Sequence, residues 1–429
     1  MICYICDTDN WKSTELSSVG DLRVCCKCGN VAYKIENDDE QKMRDFYRKT
    51  YRPDPNVGNL ITTNHKLQYI RVFLREYFQE LGDRKIFFGD IGCATGYIMS
   101  FFKRNGHKVT GCEYTLSFRR FCEKWYGIPV PEDLYRKKPY DMLCLYHVLE
   151  HMVQPDKKLV DYTSLLKPDG RFFISTPQWL DTLEEASGSP IVSFDALFPK
   201  PHINVFTEIS IKNIFAKVGL EVVKEDHIQY GQTYLLKKGE ARTFKKEDTK
   251  EVIEKLVKTK EAINLYISGN PEEAVSVWPK FPEAWVQLLI NKNMKDTEKQ
   301  KEIYEQAEKF LKTNCRWRVT SGFWNLQHKR YQDAIKDFSY VMQFKPNEDI
   351  AILIGNCFME MNNFDEAFPL FEMAHNINPQ KWVECMNKMA KCASSTPTWD
   401  ERALMEIGKK AINETPPLEF KDPDIDENE

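Results

Sequence analysis

Residues 86–96 read Ile-Phe-Phe-Gly-Asp-Ile-Gly-Cys-Ala-Thr-Gly, a short apolar strand that runs into an Asp-x-Gly-x-x-x-Gly turn. Glycines let a backbone turn sharply and approach a ligand without interference from a Cβ atom. A helix is predicted to begin at residue 97, directly after the turn. In open α/β sheets, ligands bind outside the carboxyl ends of the strands. The turn is therefore predicted to hold a small cofactor.

The glycine spacing and two acidic residues indicate the kind of cofactor. Nicotinamide and flavin enzymes carry Gly-x-Gly-x-x-Gly at this corner and bind a pyrophosphate there, and this chain lacks that spacing. A second strand, predicted over 107–112, ends at Glu113, 21 positions after Gly92. A carboxylate at this place can accept hydrogen bonds from two ribose hydroxyls. Asp90 suits a cationic amino-acid ligand better than it suits a pyrophosphate.

At this point the chain resembles the class I S-adenosylmethionine-dependent methyltransferases, over roughly residues 85–235. The turn and Glu113 are followed in the family's order by a strand over 140–146, the segment 147–151, and Leu-Leu-Lys-Pro-Asp-Gly before a strand over 171–177. The resemblance implies an α/β, Rossmann-like core and an enzyme that uses S-adenosylmethionine. A non-catalytic copy of this fold is the alternative. The implied cofactor-binding residues are Asp90, Gly92, Cys93, Ala94, Gly96, Glu113, Tyr114 and Tyr146.

Length and composition indicate a multidomain protein without membrane spans. The 429 residues predict two to three domains, and a net charge of -4 argues against a protein coated in nucleic acid. No apolar run of some 18 residues is present, and the first residues lack the form of a signal peptide. A cytoplasmic location is predicted. The 13 cysteines are accordingly interpreted as reduced thiols and metal ligands.

Four N-terminal cysteines predict a small zinc ribbon over residues 1–36. Cys3-x-x-Cys6 and Cys25-x-x-Cys28 are separated by an 18-residue insert, a spacing suited to four thiolates around one tetrahedral zinc ion. A structural role is predicted, because a catalytic zinc keeps an open position and needs a nearby base. Cys26 is an extra cysteine within the second pair.

The methyltransferase domain is predicted over residues 37–240, with helices in its first part, 37–84. A polar helix is predicted over 41–51, and apolar residues at helical spacing predict another over 66–81. A four-cysteine ribbon followed by Phe-Tyr-x-x-x-Tyr and a class I core resembles bacterial and viral methyltransferases that act on sugars. Tyr47 and Tyr51 are predicted either to cover the cofactor or to pack against the core.

The predicted chemistry lies at His147-x-x-Glu150-His151, which a helix would place on one face. His147 or His151 is a candidate general base, because a pKa near neutrality suits proton removal from a hydroxyl. The segment also resembles the Glu-x-x-Glu-His metal sites of some quinone and small-RNA methyltransferases, which would make His147, Glu150, His151 and His202 ligands of a divalent metal. A purely structural helix start is the third interpretation. His202, in a later loop, is a further candidate base.

An insertion over residues 178–204 is predicted to form a lid above the acceptor. Its aromatic residues, Trp179, Phe194 and Phe198, would stack on a sugar ring, or else pack against the domain. No nucleophilic side chain is expected, because an activated methyl sulfonium requires only alignment and the removal of one proton.

Beyond residue 240 the sequence is helical and contains a repeat with a period of 33 residues. Small residues and a terminal proline recur at this interval, which resembles tetratricopeptide repeats. An all-α repeat domain is predicted over 250–415, with a disordered acidic tail over 416–429. Its concave face is predicted to bind a protein partner or to mediate self-association. The recurring residues are Gly322, Tyr331, Ala334, Phe338 and Pro346, then Gly355, Phe364, Ala367, Phe371 and Pro379.

Three classes of function follow from these features. The leading one is methylation of a sugar hydroxyl, or less favourably a sugar carbon, on a nucleotide-linked or glycan-linked acceptor. The second is methylation of RNA or another nucleic acid, which is disfavoured because the repeat region is not strongly basic. The third is a non-catalytic adaptor that binds proteins through its repeats.

Overall fold

The computed structural model describes most of the chain in two compact units, Met1–Thr320 and Ser321–Glu429. The residues it describes are 1–35, 39–49, 60–134, 139–177, 193–197, 202–227, 231–243, 245–291, 297–312, 314–344 and 347–395. The predictions made for Tyr51, Trp179, Phe198, Pro346 and the tail over 416–429 lie outside the described residues.

The first unit begins with three short antiparallel strands and three helices, β1 (Trp11–Ser13), β2 (Leu22–Cys25), β3 (Val31–Tyr33), α1 (Asp39–Lys49), α2 (Leu60–Phe73) and α3 (Arg75–Leu81). The single helix predicted over 66–81 begins earlier than expected and has one irregular residue, Leu74. Ile70, Phe73 and Tyr77 are buried as their spacing predicts, but Val72 is exposed.

The core of the first unit alternates strands and helices, in the order β4 (Phe87–Ile91), α4 (Tyr97–Arg104), β5 (Lys108–Cys112), α5 (Leu116–Tyr126), β6 (Tyr140–Tyr146), α6 (Pro155–Ser164), β7 (Leu166–Thr176), α7 (Phe194–Leu197), β8 (Asn204–Val205), α8 (Glu208–Lys217), β9 (Leu220–Asp226) and β10 (Gln232–Lys238). Six strands form one sheet in the order β5-β4-β6-β7-β10-β9. The first four are parallel, whereas β10 runs antiparallel to both neighbours. The predicted Rossmann-like core is confirmed.

The central strands are apolar because helices cover both faces of the sheet. All seven residues of β6 are buried. On one face, the ring of Phe88 stacks on Phe102 of α4 with centroids 3.9 Å apart. On the other face, Leu145 joins the same buried cluster as Ile211 and Phe215 of α8. This packing fixes the carboxyl ends of β4, β5, β6 and β7 along one edge.

A second sheet joins the N-terminal strands to the segment between β7 and α8. Its strand order is β1-β2-β3-β8, with Val31 opposite Val205 and Ala32 opposite Asn204. The sequence predicted an N-terminal ribbon ending at residue 36 but not this pairing, because the two strands lie far apart along the chain.

The described α-helices after β10 are α9 (Thr249–Ile267), α10 (Pro271–Val277), α11 (Pro282–Leu289), α12 (Thr297–Leu311), α13 (Cys315–Gln327), α14 (Tyr331–Phe344), α15 (Glu348–Glu360), α16 (Phe364–Ile377) and α17 (Trp382–Ser395). In the second unit, a Cβ atom at Gly322 would lie 2.5 Å from the Phe338 ring, and one at Gly355 would lie 2.7 Å from the Phe371 ring. The same close helix contact thus recurs after 33 residues. Within the described residues, no helix is long and apolar enough to cross a membrane.

Candidate functional site

The cofactor turn, residues 90–96, requires glycine at two positions. Gly92 and Gly96 have φ angles of 68° and 72°, in the left-handed region. A Cβ atom at Gly92 would lie 2.8 Å from Val148 Cγ2, and one at Gly96 would lie 2.6 Å from Cys122 Sγ. Both backbone conformation and close packing therefore exclude larger residues. The Val148 contact also places the segment after β6 directly against the turn.

Glu113 holds the cofactor turn from the end of β5. Its Oε2 accepts a hydrogen bond from the Ala94 backbone N–H at 3.0 Å, and its Oε1 accepts one from Thr115 N–H at 2.8 Å. Ala94 has a φ of 47°, an unusual angle for a residue with a side chain. Each carboxylate oxygen has lone pairs left to accept further hydrogen bonds. The role of Glu113 in binding ribose hydroxyls stays a prediction.

Asp90 lies in β4 beside β5 and is only 2% exposed. Burial raises the pKa of its carboxyl to about 7, with a further rise from the nearby charge of Glu113, although a hydrogen bond with the Cys144 thiol opposes this change. The free protein therefore holds Asp90 in both protonation states near neutral pH. A bound cation would stabilise its ionised form.

The other predicted cofactor residues lie in different surroundings. Cys93 is buried, with its backbone N–H donating to Cys112 O at 3.1 Å. The Tyr114 ring faces the guanidinium groups of Arg44 and Arg48 on α1, at 5.5 and 6.0 Å. Tyr146 is buried at the carboxyl end of β6. These positions all lie near the turn, and their contact with a cofactor stays a prediction.

The histidine cluster comprises His147, Glu150, His151 and His202, and its backbone differs from the predicted helix. Only Leu149–His151 form a single 3-10 turn. His147 precedes this turn with a φ of 55°, because its N–H donates to Ser175 O at 2.8 Å and continues the bonding between β6 and β7. The helix prediction for 147–151 was therefore wrong. The side chains nevertheless converge.

Glu150 lies at the centre of the histidine cluster. Its Oε1 is 3.5 Å from His147 Nδ1 and 3.8 Å from His151 Nε2. The His151 and His202 rings approach edge to face, with centroids 4.7 Å apart. The ligating atoms of Glu150, His151 and His202 all lie within 4.8 Å of one another. The structure thus brings the four predicted residues together.

Burial and charge act in opposite directions on this cluster. Glu150 is 1% exposed, and burial alone would raise its pKa, but the close contact with His147 and the charges of the three histidines lower the pKa to about 2. Burial lowers the pKa of His202 to about 4, and Glu150 only partly offsets this effect. At neutral pH, Glu150 is therefore ionised and His202 is neutral.

Several buried polar atoms around the cluster have no hydrogen-bond partner among the described residues. They are His147 Nε2, Oε1 and Oε2 of Glu150, Thr176 Oγ1 and Asn204 Oδ1. Unpaired buried polar groups cost free energy unless water or a ligand binds them.

Helix α1 contacts both the cofactor side and the histidine cluster. Tyr47 O accepts a hydrogen bond from Thr115 Oγ1 at 2.8 Å, next to Glu113. The Tyr47 ring meets the His151 ring edge to face at 5.7 Å. The sequence predicts that Tyr47 either covers the cofactor or packs against the core, and it carries no signal for this contact with a histidine.

The described part of the predicted lid packs against the protein. Phe194 is buried, and Asp195 accepts hydrogen bonds from Ser17 and Ser18 of the N-terminal segment. Lys260 of α9 lies 5.9 Å from the Phe194 ring centroid. The Phe194 side chain is therefore packed against the protein rather than exposed to an acceptor.

The four predicted zinc ligands form one buried cluster. Cys3 Sγ lies 3.6 Å from Cys28 Sγ, and Cys6 Sγ lies 3.5 Å from Cys25 Sγ. All four sulfur atoms lie within 4.8 Å of one another. Zn–S bonds of about 2.3 Å in a tetrahedron place sulfur atoms about 3.8 Å apart, so the cluster fits a zinc ion.

Comparison with protein families identifies the class of the first unit's core. Residues 60–225 match the model of a family described as a methyltransferase domain. This match spans the cofactor turn, the histidine cluster and most of the six-stranded sheet. Residues 60–225 are thus identified as a methyltransferase domain.

Solved structures show distant likenesses, and no curated protein matches the chain significantly. One is magnesium protoporphyrin IX methyltransferase from Synechocystis PCC 6803 with bound SAM, at 15% identity over 47% of this chain and 97% of that chain, with a TM-score of 0.33. Another is 1,6-didemethyltoxoflavin-N1-methyltransferase from Burkholderia thailandensis, at 15% identity over 54% and 99%, with a TM-score of 0.37. MamA AMB-1 matches at 17% identity over 38% and 98%, with a TM-score of 0.29.

Proposed function

We propose that the methyltransferase domain transfers the methyl group of S-adenosylmethionine to a hydroxyl of a sugar, on a nucleotide-linked or glycan-linked acceptor. The observation that carries this proposal is the contact of His147 with buried Glu150, directly beside the cofactor turn. Methyl transfer to a hydroxyl requires alignment of the partners and removal of one proton. The sugar class rests on the resemblance of the cysteine ribbon, the tyrosine segment and the core to sugar methyltransferases.

His147 is the general base in this proposal. Its Nδ1 faces Glu150, and its Nε2 has no hydrogen-bond partner in the described part of the chain. A carboxylate beside one imidazole nitrogen fixes the tautomer and stabilises the imidazolium that forms when the other nitrogen accepts a proton. His202, which is neutral, accepts a hydrogen bond from the acceptor, and His151 completes the surroundings of Glu150.

S-Adenosylmethionine is bound at the ends of β4 and β5 in this proposal. Asp90 provides a negative charge for the cationic methionine end, and Glu113 accepts hydrogen bonds from the ribose hydroxyls. The backbone at Gly92, Cys93, Ala94 and Gly96 approaches the cofactor closely. Tyr114 and Tyr146 border it on either side.

A methyl-transfer screen tests the proposal. Protein and labelled S-adenosylmethionine are incubated with sugar nucleotides, oligosaccharides and RNA, and His147→Asn serves as the matched variant. Asn retains a donor near the position of Nδ1, lacks Nε2, and tolerates a positive φ. Label in a sugar hydroxyl that depends on His147 supports the proposal. Label in RNA alone, or in a sugar carbon, would overturn the proposal of a sugar hydroxyl as the acceptor. If no class of acceptor is labelled, the result favours a non-catalytic adaptor.

A divalent metal at Glu150, His151 and His202 is the second candidate for the chemistry of the cluster. The close approach of one carboxylate oxygen and two imidazole nitrogens favours it. A bound metal would lower the pKa of an acceptor hydroxyl and so replace the base. Activity lost on chelation and restored by Mg²⁺ or Mn²⁺, with the cysteine cluster still loaded, would favour the metal. Activity that a chelator leaves unchanged would favour the base.

We propose that Cys3, Cys6, Cys25 and Cys28 bind one structural zinc ion. The four thiols are buried and offer no open position to a substrate. Zinc content and thermal unfolding test this role in Cys25→Ser, with Cys26→Ser as the control, because Cys26 lies outside the cluster. We expect only Cys25→Ser to lose zinc and to lower the melting temperature. Equal zinc content in the two variants would contradict the assignment.

We also propose that residues 250–415 form tetratricopeptide-like repeats that bind a protein or a second copy of the chain. The recurrence of the Gly322–Phe338 contact at Gly355 and Phe371 supports this proposal. Small residues at such positions let paired helices approach closely. Sedimentation of the full chain over a range of concentrations tests self-association. If the chain is a monomer at all concentrations, self-association is excluded and binding of a protein partner remains as the proposal.

A further inference from the structure

Asn204 is a buried residue that bonds the backbone around Glu150 and His151. It is 2% exposed, and its Nδ2 lies 2.7 Å from Met152 O, 3.3 Å from Glu150 O and 3.4 Å from Leu149 O. Only the amide nitrogen can donate to carbonyls, so these contacts also fix the orientation of the side chain. The 3-10 turn of the histidine cluster is therefore held from outside by one side chain.

The place of Asn204 is itself set by the N-terminal strands. Asn204 lies in β8 opposite Ala32 of β3, and Tyr33 N–H donates to Ile203 O at 2.9 Å. The start of β3 follows Cys28 closely in the chain, and Cys25 N–H donates to Asn30 O at 2.8 Å. A continuous path of backbone hydrogen bonds thus leads from the cysteine cluster to β8.

His202 lies two residues before Asn204, so the same short segment carries one member of the histidine cluster and bonds the backbone carbonyl of another, Glu150. We propose that Asn204 is a positioning residue that holds Glu150 and His151 against His202, and that β3 of the cysteine ribbon sets its place. The role of this cluster in proton removal rests on the function proposed above. The positioning role itself depends only on the geometry around Asn204.

Positioning matters because displacement of a base by about 1 Å lowers a rate about a hundredfold. Without Asn204, the carbonyls of Glu150 and Met152 lose this donor, Leu149 O keeps only the bond from Met152 N–H, and the turn is free to open. An opened turn would separate the ring of His151 from that of His202. The opposite interpretation is that Asn204 contributes to overall stability alone.

Asn213 provides a matched control on α8. It is 4% exposed, its Nδ2 donates to Lys245 O at 2.7 Å, and its Oδ1 accepts from Lys245 N–H at 2.7 Å. It therefore has the same side chain, similar burial and comparable bonds to backbone. None of its hydrogen bonds reaches the histidine cluster. The Asn213→Ala variant therefore measures the general effect of removing a buried asparagine.

The test compares Asn204→Ala with Asn213→Ala in the full chain and needs no methyl acceptor. Amide hydrogen exchange is measured at His151 and Met152, the donors within the 3-10 turn, together with the imidazole NMR signals of His151 and His202. In Asn204→Ala we expect exchange at least about tenfold faster at both amides, and displaced signals for both rings. Protection in β4 and the affinity for S-adenosylhomocysteine should stay unchanged.

Equal exchange in the two variants, or unmoved histidine signals in Asn204→Ala, would overturn the positioning role. If Asn204→Ala does not fold, Asn204→Leu replaces it, because leucine has a similar volume and lacks a donor. A loosened turn combined with unchanged methyl transfer would support the positioning role and contradict the part proposed for Glu150 beside His147 in proton removal. These outcomes therefore distinguish failure of the positioning role from failure of the proposed function.

The link to the ribbon is tested separately with Cys28→Ser and Cys26→Ser. If β3 sets the place of Asn204, Cys28→Ser should accelerate exchange at His151 and Met152 while the amides of β4 stay protected. Cys26→Ser should resemble the unmodified protein. A turn that stays fully protected in Cys28→Ser, with β3 itself exchanging freely, would overturn the link.

Discussion

The cofactor turn and the histidine cluster lie side by side, but they are built in opposite ways. The turn is a local structure, in which Gly92 and Gly96 provide conformations that other residues adopt only with strain. The cluster is assembled from separate segments, and its members are held by contacts with a buried carboxylate. A local motif is readable in sequence, whereas an assembled site depends on tertiary contacts.

This difference predicts that cofactor binding and turnover respond to different substitutions. Changes in the turn should affect binding of S-adenosylmethionine and S-adenosylhomocysteine. Changes in the cluster should affect transfer to the acceptor and leave cofactor affinity unchanged.

The largest effect is expected for His147→Asn. Loss of Nε2 removes the proposed base, so turnover with the acceptor identified by the screen should fall about 10²–10⁴-fold. Affinity for S-adenosylhomocysteine, measured by calorimetry, should stay within about twofold because the cofactor contacts persist. Weakened cofactor binding of the same size as the loss in turnover would contradict the separation of the two regions.

The next effect is expected for Gly96→Ala. The added Cβ would lie 2.6 Å from Cys122 Sγ at a φ of 72°, and strain plus overpacking should weaken S-adenosylhomocysteine binding about a hundredfold. Gly82→Ala is the control, because Gly82 also has a positive φ but no atom within 4 Å of its added Cβ. Equal affinities in the two variants would show that the turn does not contact the cofactor.

A smaller effect is expected from pH. With a pKa of about 7, Asp90 is mostly protonated at lower pH and must lose its proton to pair with a cationic ligand. Affinity for S-adenosylmethionine should therefore rise about tenfold between about pH 6 and pH 8 and then level off. In Asp90→Asn, affinity should be lower and this dependence absent. An unchanged slope in that variant would assign the titration to another group.

The smallest effect is expected for Glu40→Gln on α1. The Lys158–Glu40 pair joins α1 to α6 at 3.0 Å, but both side chains are substantially exposed. Surface ion pairs contribute about 0–1 kcal/mol, so cofactor affinity and turnover should each change less than about twofold. A tenfold loss of turnover alone would instead show that α1 positions Tyr47 over the histidine cluster.

Sequence reasoning was most successful where structure is local. The strand over 87–91, the turn and the helix that follows were predicted because apolar strands and glycines act over a few residues. The four cysteines were also placed together, since paired Cys-x-x-Cys spacing favours one shared site.

The sequence did not indicate the long-range contacts. Nothing local indicates that β8 pairs with β3, or that Asn204 bonds the backbone around Glu150. The predicted helix over 147–151 failed because the His147 N–H bonds to Ser175 in the neighbouring strand, a tertiary contact that overrides helical spacing. The candidate residues were therefore identified correctly as a group, although their backbone was not.

The most direct test of the account is an experimental structure with S-adenosylhomocysteine bound. We predict that its ribose hydroxyls contact Glu113, that its amino acid end lies near Asp90, and that its sulfur faces the space beside His147. A sulfur atom directed away from the histidine cluster, or a ligand bound elsewhere, would contradict the proposal that these two neighbouring regions form one methyl-transfer site.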